Sequence, residues 1–318
     1  MKIRRPAMEV STLFWVVFHL VIAVFLAIDL IYWERKKGEI RFRDSLLWVI
    51  VWISLGLSFS VIIFSMYGTE EFIKYITAYI TEYSLSTDNL FVFLVIFTYF
   101  AVPPTGRHIG LLIGILLSIV LRASFIFIGI ALLERFHWMI YVFGAILIYT
   151  GYKMAKGGGE AVDPGKNKAV IFARKFLPIV PTYDKDGKSF IIKQNGNTFF
   201  TPLILAILAI GTTDIMFAFD SVPAALAITR EFFTAYTSNI MAVLGLRSLY
   251  FLLEYGLRLV ENLGKGLAIY LVYLGAAFIL SAFGIKVPSY ISLLLIATII
   301  LVLVLMARLR RKESGTTE

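Results

Sequence analysis

Cysteine is absent from this 318-residue chain, so disulfides, thiolate metal sites and thiol nucleophiles are all excluded. Charge is scarce as well. Only 16% of the residues are charged and 59% are apolar, against roughly 25% and 45–50% in an ordinary soluble domain. Histidine occurs three times. His108 and His137 fall near the ends of apolar runs, and His19 lies inside one, where packing or a hydrogen bond explains it better than ligation. There is no phosphate-binding loop of the Walker A type, which argues against direct coupling to ATP. No nucleophile–base set or cofactor motif suggests an enzyme, and no bound cofactor is expected.

What the chain does have is apolar runs of membrane-spanning length along nearly its whole course. A bilayer core about 30 Å thick takes about 20 apolar residues of helix to cross. Nine spans are predicted, near 10–33, 45–67, 72–101, 107–133, 137–154, 201–220, 237–257, 264–284 and 290–307. The runs are continuous rather than alternating, so they read as helices and the fold class is all-α, polytopic membrane protein. The first run follows a basic leader but is too long for a signal peptide, lacks a small-residue cleavage site and carries Asp29, so it is kept as a span.

The net charge of +9 follows topology. Seven Lys and Arg fall on one side of these spans and twenty-one on the other, while Arg122 and Arg247 lie within spans. The excess puts the N-terminus outside and the C-terminus in the cytoplasm of a cell membrane. With the basic residues so assigned, nucleic-acid binding has no support. One polar insert, 154–200, is on the cytoplasmic side, and its Asp184-Lys185-Asp186-Gly187 and Asn195-Gly196 are turn signals. Ser189-Phe190-Ile191-Ile192 reads as a short strand, giving a small hairpin, and the insert as a whole could be a gate, a docking surface or a tether, of which the tether is the expected reading. The expected organisation is therefore 1–71, a two-helix segment; 72–156, a first three-helix repeat; 157–200, the insert; 201–285, a second, inverted repeat; and 286–318, a last helix with a basic tail.

The repeat rests on matched polar residues. Glu82 and Asp88 stand six apart with Asn89 next, and Asp214 and Asp220 stand six apart with Ser221 next. Each set is followed by a mid-span Leu-Arg, Leu121-Arg122 and Leu246-Arg247. Three spans separate the two copies, so the second is inverted, as in many secondary transporters. Six residues turn a helix by about 240° net, so each pair can share a face only if the helix breaks. Ser84, Ser86 and Thr87 in one copy, and Gly211, Thr212, Thr213 and Pro223 in the other, suggest such unwinding near mid-membrane.

Six acids lie in spans, Asp29, Glu82, Asp88, Asp214, Asp220 and Glu254, with only Arg122 and Arg247 there as counter-charges. A charge at the bilayer centre costs about 2.5–3.5 kcal/mol on insertion scales. The surplus of four acids must be protonated, hydrated or balanced by a cation. Carboxylates, Asn89, Asn239 and hydroxyls are hard oxygen donors suited to Mn²⁺, Mg²⁺ or Ca²⁺, whereas Met216 beside Asp214 reads as packing. The candidate metal site is accordingly Glu82, Asp88, Asn89, Asp214, Asp220 and Asp29, with a divalent cation as substrate and the bilayer as the other partner. Metal release with proton uptake follows from the same carboxylates.

The segments Glu82-Tyr-Ser-Leu-Ser-Thr-Asp88-Asn89, Asp214-Ile-Met-Phe-Ala-Phe-Asp220-Ser-Val-Pro223 and Tyr236-Thr-Ser-Asn239 through Leu246-Arg247 resemble the TerC family of integral membrane proteins, as do Phe136-His137-Trp138 and Pro181-Thr182-Tyr183-Asp184. The likeness runs from about 20 to 305. It implies a LysE-like transporter, linked to manganese export and named for tellurium-resistance loci, with Glu82, Asp88, Asp214 and Asp220 as the acids that function depends on. It also implies an alternative, a membrane partner that supports metalation or assembly of other membrane or secretory proteins. A carrier of tellurite itself fits least, because an oxyanion would meet a negative interior. The chain departs from the family pattern in having Gly211 where many members carry Glu, and Gly106-Arg107-His108 in place of Gln-His-Arg.

Overall fold

A computed structural model describes residues 10–35, 42–156, 163–194, 196–254, 263–285 and 287–314, with the side chains of Asp88 and of 33–35, 263–265, 303–304 and 306–314 outside the description. Its elements are α1 (Thr12–Arg35), α2 (Phe42–Tyr99), α3 (Pro104–Arg135), α4 (Met139–Ala155), α5 (Lys168–Phe176), β1 (Ile191–Gln194), β2 (Asn197–Phe200), α6 (Pro202–Ile228), α7 (Phe232–Glu254), α8 (Leu263–Ala282) and α9 (Ser289–Ser314). The 58 residues of α2 are two spans, because Gly68 adopts φ 81° and breaks the helix. Only glycine takes that conformation without steric cost. Phe64 packs on Phe72, Phe59 on Tyr75, and the Tyr75 hydroxyl donates to the Gly56 carbonyl, so the chain doubles back at Gly68. Each of the nine predicted spans thus has a helix or an arm of α2, and the protein is an all-α polytopic membrane protein. Among the described residues four helices, Thr12–Tyr32, Phe42–Tyr99, Pro104–Arg135 and Pro202–Ile228, are long and apolar enough to cross a bilayer.

Polarity sorts the helices by depth within the bundle. α1 buries Phe18, Ile22 and Asp29, packs Phe14, Trp15, Phe25, Leu26 and Tyr32 partly against the core, and otherwise presents mostly exposed apolar surface. α7, which carries Thr234, Thr237, Ser238, Asn239, Arg247 and Ser248, is buried along nearly its whole length. A helix that carries a guanidinium and an amide cannot face hydrocarbon, so the polar helix takes the centre and the apolar ones wrap it.

The packing has the pattern of an inverted repeat. The second arm of α2 matches α6, α3 matches α7, and α4 matches α8. Under that matching, the contacts α2 on α7 and α3 on α6 exchange with one another, while α4 on α8, α2 on α6 and α3 on α7 map onto themselves. The α4–α8 seam shows the relation residue by residue. A Cβ on Gly275 would lie 2.6 Å from the Gly144 carbonyl oxygen, and one on Gly151 would lie 2.6 Å from that of Ala268. The two contacts are antiparallel, and they join matching segments, Gly144-Ala-Ile-Leu-Ile-Tyr-Thr-Gly151 and Ala268-Ile-Tyr-Leu-Val-Tyr-Leu-Gly275. Small residues let the two backbones touch where lipid gives no hydrophobic drive to association.

Two expectations are corrected. The acid-bearing segments do not unwind: beyond Gly68, both the second arm of α2 and all of α6 are helical. The hydroxyls expected to weaken them bond within the helix instead. Ser84 donates to the Ile80 carbonyl, Thr87 to Tyr83, Thr212 to Leu208 and Thr213 to Ala209, a bonding that bends helices without breaking them. Nor is the insert a mere tether. Its hairpin forms with Gln194 opposite Asn197 around Gly196 at φ 80°, two residues later than the strand was placed. Tyr183 donates to the Phe100 carbonyl at 2.8 Å, and Thr105 donates to the Asp186 carbonyl, which fastens the insert to the turn between α2 and α3. Asn167 caps α5 through Ala169 N and Val170 N, while its amide donates to Thr212 of α6 at 2.8 Å. Burial alone would raise the Asp184 carboxyl, but hydrogen bonds from the Ser189 N–H and hydroxyl outweigh it and hold the group below its usual value.

Gly275→Leu is expected to force α4 and α8 apart, because the obstacle is backbone. Overpacking of this kind costs about 1–3 kcal/mol or more. Thermal unfolding of the purified protein in detergent should show a lowered midpoint, whereas Gly196→Asn, at an open turn, should leave it nearly unchanged.

Candidate functional site

Glu82 on α2 and Asp214 on α6, the matching acids of the two repeats, meet in the interior at a single guanidinium. Arg122 of α3 donates through Nη1 to Glu82 Oε1, and its Nη2 lies 3.6 Å from Asp214 Oδ1. All three side chains are at most 3% exposed. Around them Ser86 donates to Glu82 Oε1 at 2.6 Å, Asn239 donates to Glu82 Oε2 at 2.8 Å, and Ser221 accepts from Arg122 Nη1 at 3.2 Å. Asp214 Oδ2 and Asn239 Oδ1 are buried with no protein partner. Ser86, taken from sequence as a helix breaker, instead orients a carboxylate from one turn away.

The site is a consequence of the helical phase. Six residues carry an acid to another face of an unbroken helix, so only one acid of the second pair reaches Arg122. Asp220 turns toward α4, where Thr150 donates to its Oδ1 at 2.6 Å. The Asp88 side chain lies outside the described residues, and Asn89 is buried beside it in sequence. Asp29 does not join the acids; it pairs with Arg247 at 2.5 Å, with both groups at most 1% exposed. His108 Nδ1 is 3.5 Å from Arg247 Nη2, a neighbour that no local sequence signal points to. Glu254 pairs with Arg107 at the start of α3. His19 is hydrogen-bonded as expected, to the Trp15 carbonyl and the Tyr236 hydroxyl.

The charge count shrinks accordingly. Asp29 is matched by Arg247 and Glu254 by Arg107, so the expected surplus of four acids shrinks, and one negative charge stands at the Arg122 cluster. Among the described residues no three His, Asp or Glu side chains converge as a ready metal site. The remaining ligand atoms are all hard oxygens: two carboxylates, the Asn239 amide and the Ser86 and Ser221 hydroxyls. Gly211 accounts for the missing family glutamate in part, because the Leu117 side chain fills the space where a Cβ would stand. A cavity of about 650 Å³ opens between α2 just beyond Gly68, the C-terminal ends of α6 and α8 and the start of α9, lined by Glu70, Lys74, Arg230 and Glu231, and none of the candidate residues line it.

A family model described as "Integral membrane protein TerC family" matches residues 67–315. An "Uncharacterized membrane protein STKORF319" of Myxococcus xanthus is 37% identical over 304 residues, covering 96% of this chain and 94% of the relative. The "Putative membrane-bound redox modulator Alx" of Escherichia coli (strain K12) is 35% identical over 292 residues, 89% of this chain and 90% of that protein. An "Uncharacterized membrane protein" of Rickettsia felis is 33% identical over 287 residues, 90% of this chain and 94% of the relative. No solved structure matches the chain significantly.

Asp29→Asn should leave Arg247 buried without its counter-ion, at a cost of about 3–5 kcal/mol. The check is thermal unfolding in detergent, where the midpoint should fall sharply and Asp29→Asn/Arg247→Met should recover much of the loss.

Proposed function

The chain belongs to the TerC family of integral membrane proteins, and from that premise we propose that it carries divalent cations, Mn²⁺ foremost, out of the cell. The observation that carries this reading is the meeting of Glu82 and Asp214, from matching helices of an inverted repeat, at one buried positive charge. Two carboxylates are the ligand charge that a divalent ion neutralises, and the oxygens around them suit a hard cation. Placement between the two repeats is where secondary transporters hold their cargo. Asp220 at Thr150, and Asp88 at the matching position of α2, supply further acidic steps along the same two helices. Export by exchange for protons follows from the chemistry, since carboxylates that give up a metal take up protons. The excess of Lys and Arg on one set of loops supports an outer N-terminus and a cytoplasmic C-terminus. No enzymatic step and no resident cofactor is needed.

A second reading, a membrane partner that supports metalation or assembly of other proteins, is favoured by one feature of the insert. α5 buries Val170 and Ala173 but exposes Ile171, Phe172 and Phe176. The E. coli relative's name refers to redox modulation. Without cysteine, any such role in this chain runs through the ions it moves rather than through thiol exchange.

Purified protein in proteoliposomes should take up Mn²⁺ against a pH gradient. Glu82→Gln, Asp214→Asn and Asp220→Asn should each lower the rate by about tenfold or more, as removal of a directly coordinating charge does. Wild-type rates in all three variants, or no flux of Mn²⁺, Ca²⁺ or Mg²⁺ by the wild type, would sink the transport reading.

A further inference from the structure

We propose that the Arg122 guanidinium is the resident occupant of the cation site, and that a divalent ion enters by displacing it from Glu82 and Asp214. This rests on the transport reading above and adds how the site is held closed to cations between turnovers.

Charge balance sets the competition. Two carboxylates with Arg122 leave one net negative charge. With a divalent ion in place of Arg122 the sum is zero, and with both it would be one net positive. Neither excess is cheap where all three side chains are at least 97% buried. The neutral state is the one with the metal and without the guanidinium, so the two cations exclude each other. This is what an exchange site requires.

The geometry agrees. The guanidinium is not held as a closed fork: Nη1 bonds Glu82, Nη2 stands 3.6 Å from Asp214, and Nε has no partner although it is buried. A bidentate arginine clamp would be harder to open. Asp214 Oδ2 and Asn239 Oδ1 are buried without partners, on side chains that are 2% and 1% exposed. With Glu82, Asp214, Asn239, Ser86 and Ser221, a cation in place of the guanidinium would find the all-oxygen set that hard divalent ions take. The guanidinium already touches the Ser221 hydroxyl of α6.

The matching arginine shows the contrast. Arg247, equivalent in the second repeat, pairs with Asp29 of α1, which lies outside the repeats. That pair is neutral, and a divalent ion could gain nothing by displacing its guanidinium. The repeat thus contains one arginine locked by its own acid and one that shares two.

The test is an arginine footprint on full-length protein in detergent. Phenylglyoxal modification of Arg122, read by peptide mass spectrometry, should rise on saturation with Mn²⁺, while Arg247 stays protected. In parallel, Arg122→Gln should bind Mn²⁺ about tenfold or more tightly than wild type, since the competitor is gone, and Arg122→Lys should not. Mn²⁺ binding by wild type with Arg122 still protected would overturn the exchange and leave the transport reading standing, as would a folded Arg122→Gln that binds no tighter. Should that variant fail to fold even with Mn²⁺ present, the wild-type footprint alone decides. If wild type binds no divalent ion at all, the transport reading falls and the exchange with it.

Discussion

A carboxylate taken out of water must be matched, and in the interior of this protein the matching is deliberately uneven. Glu82 and Asp214 share Arg122, while Asp29 has Arg247 and Glu254 has Arg107. An ion pair buried one-to-one is a structural joint: breaking it leaves a bare charge, and no mobile ion is drawn to it. Two acids around one guanidinium are different, because the remaining charge favours a second cation or a proton. The position of α7 follows from this constraint. It brings Asn239 to Glu82 and Arg247 to Asp29, so it must be enclosed by the other helices.

The inverted repeat supplies the geometry of the shared site. Matching helices α2 and α6 each offer one acid at the same position, and their packing in the interior brings the two acids together. Symmetry would give Arg122 and Arg247 the same surroundings. The N-terminal helix removes that equivalence by placing Asp29 at Arg247, so only one of the two arginines remains at the acids. The glycine seam between α4 and α8, with Gly144 and Gly151 meeting Gly275 and Ala268, closes the bundle on the other side, next to the Thr150–Asp220 contact.

The insert is coupled to this arrangement rather than appended to it. Asn167 caps α5 and at the same time bonds Thr212, two residues before Asp214. A single side chain therefore joins α5 of the insert to the helix carrying half of the site. Its amide can serve both purposes because the oxygen accepts from the α5 backbone while the nitrogen donates to α6.

The sequence by itself determined the class, because hydropathy over 20 residues is a local property of the chain, as is the recurrence of acid, polar neighbour and Leu-Arg. It also picked out Glu82 and Asp214, the two acids that meet at Arg122. What it got wrong was angular and pairwise. The threonines and serines that looked like helix breakers bond back to carbonyls of the preceding turn, so both helices stay intact and each acid pair is split between faces. Arg107 lies at a span end by hydropathy and was counted with the loops, yet it reaches Glu254. Only the tertiary structure decided which acid meets which arginine, since charge pairing depends on the rotation and depth of helices that are far apart in sequence. The sequence states how much charge must be balanced; the packing of α2, α3, α6 and α7 decides where one negative charge is left over.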